Sequence, residues 1–237
     1  MIPKKIHYCW FGKNPMPKSA TKCINSWKKY MPDYEIIEWN EDNFDINYNK
    51  YTKEAYEAKK YAFLTDVARL KIIYDHGGLY FDIDVEVIKS FDDLSNCAAF
   101  FGLESIGNVA TGLGFGAEKN NHFVKMLLDD YKDRTFFMKD GSMDLTPCPL
   151  INSKIFKKVG FQLDGTLEKV NDVVVYPIEF FNPMNVGTGR IKKTNNTYSI
   201  HWYNKSWLPK SKIIRSKLTK PFHIIFGNDC FKFIKKK

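Results

Sequence analysis

The sequence has no CxxC pair and no even set of cysteines; its five (Cys9, Cys23, Cys97, Cys148 and Cys230) are scattered along the chain. This excludes a disulfide framework and a zinc cage of paired thiolates, and it fits a reducing compartment. No apolar run approaches the roughly 18 to 20 residues that cross a membrane. The opening MIPKKIHYCWFG has two lysines but lacks the apolar stretch of a secretory signal. The expectation is a cytoplasmic protein. Internal repeats, low-complexity blocks and obvious linkers are also missing, so one large domain, or one domain with a small appendage, accounts for the 237 residues. Acidic groups are the scarcer charge: 27 Asp and Glu stand against 36 Lys and Arg, leaving +9. Such a balance favours anionic partners: nucleic acid, phosphorylated small molecules or an anionic membrane surface.

What is abundant is aromatic side chains, at 16%. They supply rings for a core and for stacking on bases or sugars. Apolar runs alternate with helical patterns. KKIHYCWFG reads as a first strand closed by Gly12, Ser19 as the cap of a helix through Tyr30, and YEIIEWN as a second strand. KEAYEAKKYAFLTDVARLKIIYDHGG carries apolar residues at helical spacing up to a Gly77-Gly78 stop. AAFFGLE, TGLGFGA, VNDVVVY and YSIHW read as further strands, with a helix in NNHFVKMLLDDYKD. Strands alternating with helices predict an α/β fold with a mostly parallel central sheet.

The stretch HGGLYFDIDVEVI, 76–88, alternates apolar and polar residues. Read as one regular strand, it puts Leu79, Phe81, Ile83, Val85 and Val87 on one face and Tyr80, Asp82, Asp84 and Glu86 on the other. Residues i and i+2 of a strand lie roughly 7 Å apart, whereas magnesium binds oxygen at about 2.0 to 2.1 Å. Two such carboxylates do not easily grip one ion together; the spacing suits one metal ligand, one hydrogen-bond acceptor, and a diphosphate completing the metal shell. The plain alternative is a solvated strand face. Upstream, Asp66 and Arg69 stand at i and i+3 on the preceding helix, either as a surface ion pair or a helix-to-core bridge, or with Arg69 on a phosphate or sugar oxygen and Asp66 on a sugar hydroxyl.

The segments IHYCWFG, YAFLTDVARLKIIYDHGGLYFDIDVEVIKSFDDL and IHWYNKSW together resemble the DXD-containing sugar transferases of glycosyltransferase family 32. More distantly the chain is similar to the catalytic domain of the glucosylating bacterial toxins. The markers run from Ile6 to Trp207. The resemblance implies a GT-A fold over residues 1–207, a nucleotide-sugar donor (a UDP-sugar favoured), Mn²⁺ or Mg²⁺, and retention of anomeric configuration. The implied acceptor is a glycan or lipid-linked saccharide of capsular or surface polysaccharide, with no nucleic acid as partner. By the same resemblance, Trp10 lies near the nucleotide base, Asp66 and Arg69 contact the donor sugar, and Tyr80 borders the donor. Asp82 is the carboxylate on the ribose and sugar side and Asp84 the direct metal ligand. From the strand pattern Glu86 reads as solvated surface, and a double displacement would have Glu86 or Glu104 as its candidate nucleophile. His201, Ser206 and Trp207 match a late loop over the diphosphate, His201 as a further metal or phosphate contact and Trp207 as a donor to the leaving oxygen. Where family members carry Thr-Gly-Pro, this chain has LTPCP, 145–149, which leaves the acceptor open.

Residues 208–237 form a basic and apolar extension, either a solvated C-terminal element or a peripheral attachment to an anionic membrane through lysines with Phe231, Phe233 and Ile234. Two other functions were compatible with parts of the pattern. A haloacid-dehalogenase-like phosphotransferase also uses DxD, but wants Thr or Val where Glu86 stands. A non-enzymatic nucleic-acid- or glycan-binding module would account for the charge and the aromatics, but not for the acidic strand.

Overall fold

A computed structural model gives the fold of residues 1–203 together with 219, 221–225, 227 and 230. The central sheet is built from β1 (Lys5–Cys9), β2 (Glu35–Trp39), β3 (Gly78–Tyr80), β5 (Ala99–Ser105), β7 (Phe115–Ala117), β8 (Glu168–Val170) and β9 (Val173–Tyr176), in the spatial order β2-β1-β3-β7-β5-β9-β8. Strands β2, β1, β3, β5 and β9 run one way; β7 and β8 run against them. A short β6 (Asn108–Val109) pairs with β5. The expected α/β fold with a mostly parallel sheet is therefore present, with one reversed strand at its centre.

Alternation along the strands divides the interior into two cores. Tyr80, Phe101, Leu103 and Val175 face one side, covered by α2 (Lys50–Glu57), α3 (Tyr61–His76), α4 (His122–Asp129) and α5 (Cys148–Lys158). Leu79, Phe81, Phe100 and Val174 face the other, against α1 (Lys18–Tyr30) and α6 (Ile178–Phe181). Burying a phenylalanine contributes about 1.5 to 3 kcal/mol, so the aromatic excess goes chiefly into these two layers.

Four expectations are corrected. Ser19 does not cap α1, which begins at Lys18 behind Pro17 with no side-chain cap. The long helical pattern splits in two at Ala58–Lys60. Lys59 takes φ +57 and the Lys60 N–H returns to the Ala55 carbonyl at 2.8 Å, a left-handed closure that ends α2 before α3 starts. VNDVVVY is a hairpin, β8 and β9, turning at Asn171 with φ +52. TGLGFGA is a strand only from Phe115 onward, and the helix at Cys148 had no counterpart among the expected elements.

The helix stop at Gly77-Gly78 is real and steric. Both have positive φ, and a Cβ on Gly78 would lie 2.8 Å from the Lys5 carbonyl. His7, fully buried, locks this corner: its Nε2–H donates to the Gly77 carbonyl at 3.0 Å, and its Nδ1 accepts from the Trp39 indole at 3.0 Å. Both ring nitrogens are thus committed to the neutral imidazole, and burial lowers its pKa to about 4 from 6.5. Because the folded pKa is the lower one, protons bind the unfolded chain first. The His7 contribution to stability is complete above pH 6.5 and disappears as pH falls through about 4. Wild-type protein is expected to lose about 3 kcal/mol more unfolding free energy between pH 6.5 and 4 than His7→Gln, measured by urea denaturation; parallel pH profiles would refute this.

Candidate active site

The acidic stretch is not one strand. β3 ends at Tyr80, and the Val85 N–H turns back to the Asp82 carbonyl at 3.0 Å. The chain then re-enters extended structure as β4 (Val85–Val87), which pairs with β10 (Ser199–His201) in a separate two-stranded sheet. The expected separation of roughly 7 Å therefore does not apply, since it assumed an unbroken strand. Asp82, Asp84 and His201 each offer a ligand atom within 4.8 Å of the other two.

Several contacts hold this turn. The buried Trp27 of α1 donates its indole N–H to the Val85 carbonyl at 2.8 Å, and Ser26 Oγ accepts from the Val87 N–H at 2.9 Å. β10 places His201 opposite Val85, and the Trp202 N–H donates to the Asp84 carbonyl at 2.9 Å. Glu86, expected to be solvated, accepts from the Trp202 indole at 2.8 Å and has Lys22 Nζ at 3.4 Å. It fastens the late segment to the turn.

Beneath the turn lies Arg69, with a side chain only 5% exposed. Its Nη2 donates to Asp66 Oδ1 at 2.7 Å and stands 3.6 Å from Asp82 Oδ1; Nη1 reaches Thr111 Oγ1 at 3.4 Å, and Nε donates to the Thr65 carbonyl. The guanidinium also lies over the Tyr80 ring, 5.2 Å from its centroid. Tyr80, fully buried, donates its hydroxyl to Asp82 Oδ1 at 3.0 Å. The surface-ion-pair alternative for Asp66 and Arg69 is thus excluded, since both are buried.

Burial pushes the Asp66 carboxyl up to about 6 against the attraction of Arg69, with Asp82 pushing it further up. Burial likewise raises Asp82, opposed by Arg69 and aided by repulsion from Asp84. For His201, burial favours the neutral ring, but Asp84 at 2.9 Å outweighs it and the pKa rises. One guanidinium does not balance these carboxylates, so the site is predisposed to a further cation.

The donor set fits a divalent cation. Two atoms on one ion at about 2.1 Å can lie no more than ~4.2 Å apart, and small side-chain movements bring the three groups within that limit. His201 Nδ1 is buried with no hydrogen-bond partner among the described residues. Carboxylates with one imidazole accommodate Mn²⁺ or Mg²⁺-like ions, and the set does not choose between them.

Trp10 follows β1 on the same sheet edge at which β3 ends; it is half-buried, its indole donating to the Asn14 carbonyl at 2.7 Å. Ser206 and Trp207 lie outside the described residues, as do all of 208–237 except 219, 221–225, 227 and 230. Tyr203, not anticipated, donates to Glu104 Oε1 at 3.2 Å and lies 4.0 Å, centroid to centroid, from the His201 ring. Gly112 was also missed as a site residue: its carbonyl accepts from the Asp82 N–H at 3.2 Å. Its signal was the glycine-rich TGLGFGAE, 111–118, which lacks the Lys and Ser/Thr of a phosphate loop and reads from the sequence as a strand with glycines beside a ligand.

Residues 17–101 match the family described as the glycosyltransferase sugar-binding region containing the DXD motif. Over that stretch the chain is similar to the DXD-containing glycosyltransferases, and glycosyltransferase is the activity these likenesses support. It is 25% identical over 227 residues to an uncharacterized glycosyltransferase of Acanthamoeba polyphaga mimivirus, covering 91% of this chain and 87% of that protein. It is 27% identical over 172 residues to inositol phosphoceramide mannosyltransferase 1 of Schizosaccharomyces pombe, covering 66% of this chain but only 52% of that longer protein. Among solved structures, the PaToxG glycosyltransferase superposes with a TM-score of 0.51 at 19% identity, covering 66% of this chain and 68% of that one, a likeness of fold. The chain has the GT-A architecture, and the phosphotransferase and non-enzymatic alternatives give way to the transferase.

In this glycosyltransferase the close approach at Gly112 is testable. A Cβ there would lie 2.2 Å from Asp82 Oδ2 and 2.9 Å from Arg69 Nη1. Gly112→Ala is expected to destabilise the fold by about 1 to 3 kcal/mol and to weaken cation and nucleotide binding by displacing the Asp82 carboxylate. Thermal melts and titration calorimetry would check this; unchanged binding would show that Asp82 is not needed in its observed position.

Proposed function

We propose that the chain moves a hexosyl or N-acetylhexosaminyl group from a nucleoside diphosphate sugar, a UDP-sugar favoured, to a glycan or lipid-linked saccharide acceptor, with retention of configuration. Synthesis of a capsular or surface polysaccharide is the role that best suits this reading. The observation that carries it is the convergence of Asp82, Asp84 and His201 within 4.8 Å beside the buried Arg69–Asp66 pair.

Asp84 and His201 would hold the cation, with Asp82 alongside or on the donor's ribose and sugar hydroxyls. Bound there, Mn²⁺ or Mg²⁺ neutralises charge developing on the departing diphosphate. Arg69 is fixed by Asp66 and Thr65 before any ligand arrives, so it stabilises phosphate charge without reorganising. Asp66, adjacent to it, accepts from a sugar hydroxyl, and Tyr80 holds Asp82 in orientation. Trp10 offers a ring for the base at the same sheet edge. Ser206 and Trp207 are assigned, by resemblance alone, to closing over the diphosphate.

A double displacement needs a free carboxylate beneath the sugar. Glu86 accepts from Trp202 and Glu104 from Tyr203, so each already has a hydrogen-bonding role. This favours a front-face reaction, in which the leaving phosphate oxygen takes the acceptor proton while the new glycosidic bond forms on the same face. Trapping of a covalent sugar–enzyme adduct would contradict it.

Melting curves with UDP and with GDP, with and without Mn²⁺, test the reading. Saturation at about 100 times Kd stabilises by about 2.7 kcal/mol, and about 2 to 4 °C per kcal/mol for a chain of this size gives a shift of roughly 5 to 10 °C. One nucleotide is expected to produce it only with the cation. Asp84→Asn should abolish the shift, leave the unliganded melt in place, and lower nucleotide-sugar turnover at least about a hundredfold. A cation-independent shift, or one retained in Asp84→Asn, would overturn the assignment.

A further inference from the structure

The segment between α6 and β10 leads from the β5 edge into the site. Asn182 at its start donates to the Glu104 carbonyl at 2.9 Å, and its end delivers His201. In between, the chain folds back on itself: the Lys192 N–H donates to the Pro183 carbonyl, the Asn185 N–H to the Arg190 carbonyl, and Met184 bridges Ile191. Arg190 then reaches a segment distant in sequence, donating from Nε to the Ile224 carbonyl at 2.6 Å and from Nη2 to the Ile225 carbonyl at 2.9 Å. The two segments form one surface.

That surface is apolar and one-sided in charge. Val186, Ile191, Ile224 and Ile225 are exposed at 44%, 38%, 40% and 65%. Residues 183–197, PMNVGTGRIKKTNNT, contain Arg190, Lys192 and Lys193 and no acidic residue. Both lysines are exposed; among the described residues the one acidic side chain hydrogen-bonded to this stretch, Glu179, engages Asn196. Exposed branched side chains rimmed by lysines mark an interaction surface. A second copy of the chain fits poorly, since a two-fold contact would set the basic groups against each other. A bilayer answers both features: its acyl boundary takes the isoleucines and its anionic headgroups take the lysines. No described helix is long and apolar enough to cross a membrane, so such a contact lies in the interface.

We propose that hairpin 183–192 and segment 221–225 together form a docking surface for an anionic lipid bilayer. Docking there sets the segment that carries Asn182 and His201 beside the membrane, where a lipid-linked acceptor would present its sugar. That purpose rests on the transferase reading; the binding itself needs neither donor nor cation.

The test is cosedimentation of the full chain with vesicles of phosphatidylcholine alone and of phosphatidylcholine mixed with phosphatidylglycerol. The chain is expected to bind only the mixed vesicles and to be released as salt rises. Lys192→Glu/Lys193→Glu should weaken binding by at least about thirtyfold, and Ile224→Ser/Ile225→Ser should weaken it independently, with melting temperatures and the cation-dependent nucleotide shift unchanged. Binding unaffected by either pair would place attachment elsewhere in the chain and overturn the proposal. So would failure to bind the mixed vesicles, or a lipid-free dimer abolished by the same substitutions. A lost nucleotide shift with intact vesicle binding would count against the transferase reading alone.

Discussion

The Arg69 guanidinium is the buried positive charge around which the site is arranged. Among the described residues it is the one lysine or arginine side chain that is buried. Taking it out of water is offset only because Asp66, Asp82, Thr65 and Thr111 surround it, and because the Tyr80 ring lies beneath it. Removing one partner of such a buried pair typically costs about 3 to 5 kcal/mol. The same neighbours leave the acidic side in excess, and that imbalance connects stability to function: it holds α3 against the sheet and reserves a place for a further cation.

The second constraint is the break after Tyr80. A continuous strand would have kept the two aspartates in the central sheet, a pleat apart. The turn instead takes Asp84 out of the sheet, and β4 pairs with a strand more than a hundred residues later. This discontinuity is what lets His201 approach Asp84. Trp27, Ser26 and Glu86 hold the arrangement, so helix α1 on one face of the sheet fixes geometry that is used at its edge.

Much of this was legible in the chain. The apolar runs in IHYCW, EIIEW and AAFFGLE mark real strands because the sheet has a core on both of its faces, and Gly77-Gly78 stops α3 because backbone from β1 crowds it. The i, i+3 spacing of Asp66 and Arg69 correctly put them together, but could not reveal their burial, which comes from elements far away in sequence. The turn at Asp82–Val85 was hidden because its residues keep perfect strand alternation; the backbone leaves the sheet through tertiary bonds from α1 and β10. Helix α5 was missed because Pro147 and Pro149 flank its first residue, Cys148, and read as loop, yet a proline in the first turn is tolerated there. Glu86 looked solvent-facing by pattern, and its partner Trp202 is known only from the fold.

The central claim is that one cation sits between Asp84 and His201, brought together by that turn. An anomalous difference map from crystals grown with Mn²⁺ and UDP tests it most directly. The account predicts a single strong peak within about 2.0 to 2.3 Å of an Asp84 carboxylate oxygen and a His201 ring nitrogen, with the diphosphate on its open side and Arg69 undisplaced. A manganese peak bound elsewhere, or a diphosphate ordered in the site with no metal beside Asp84, would contradict it.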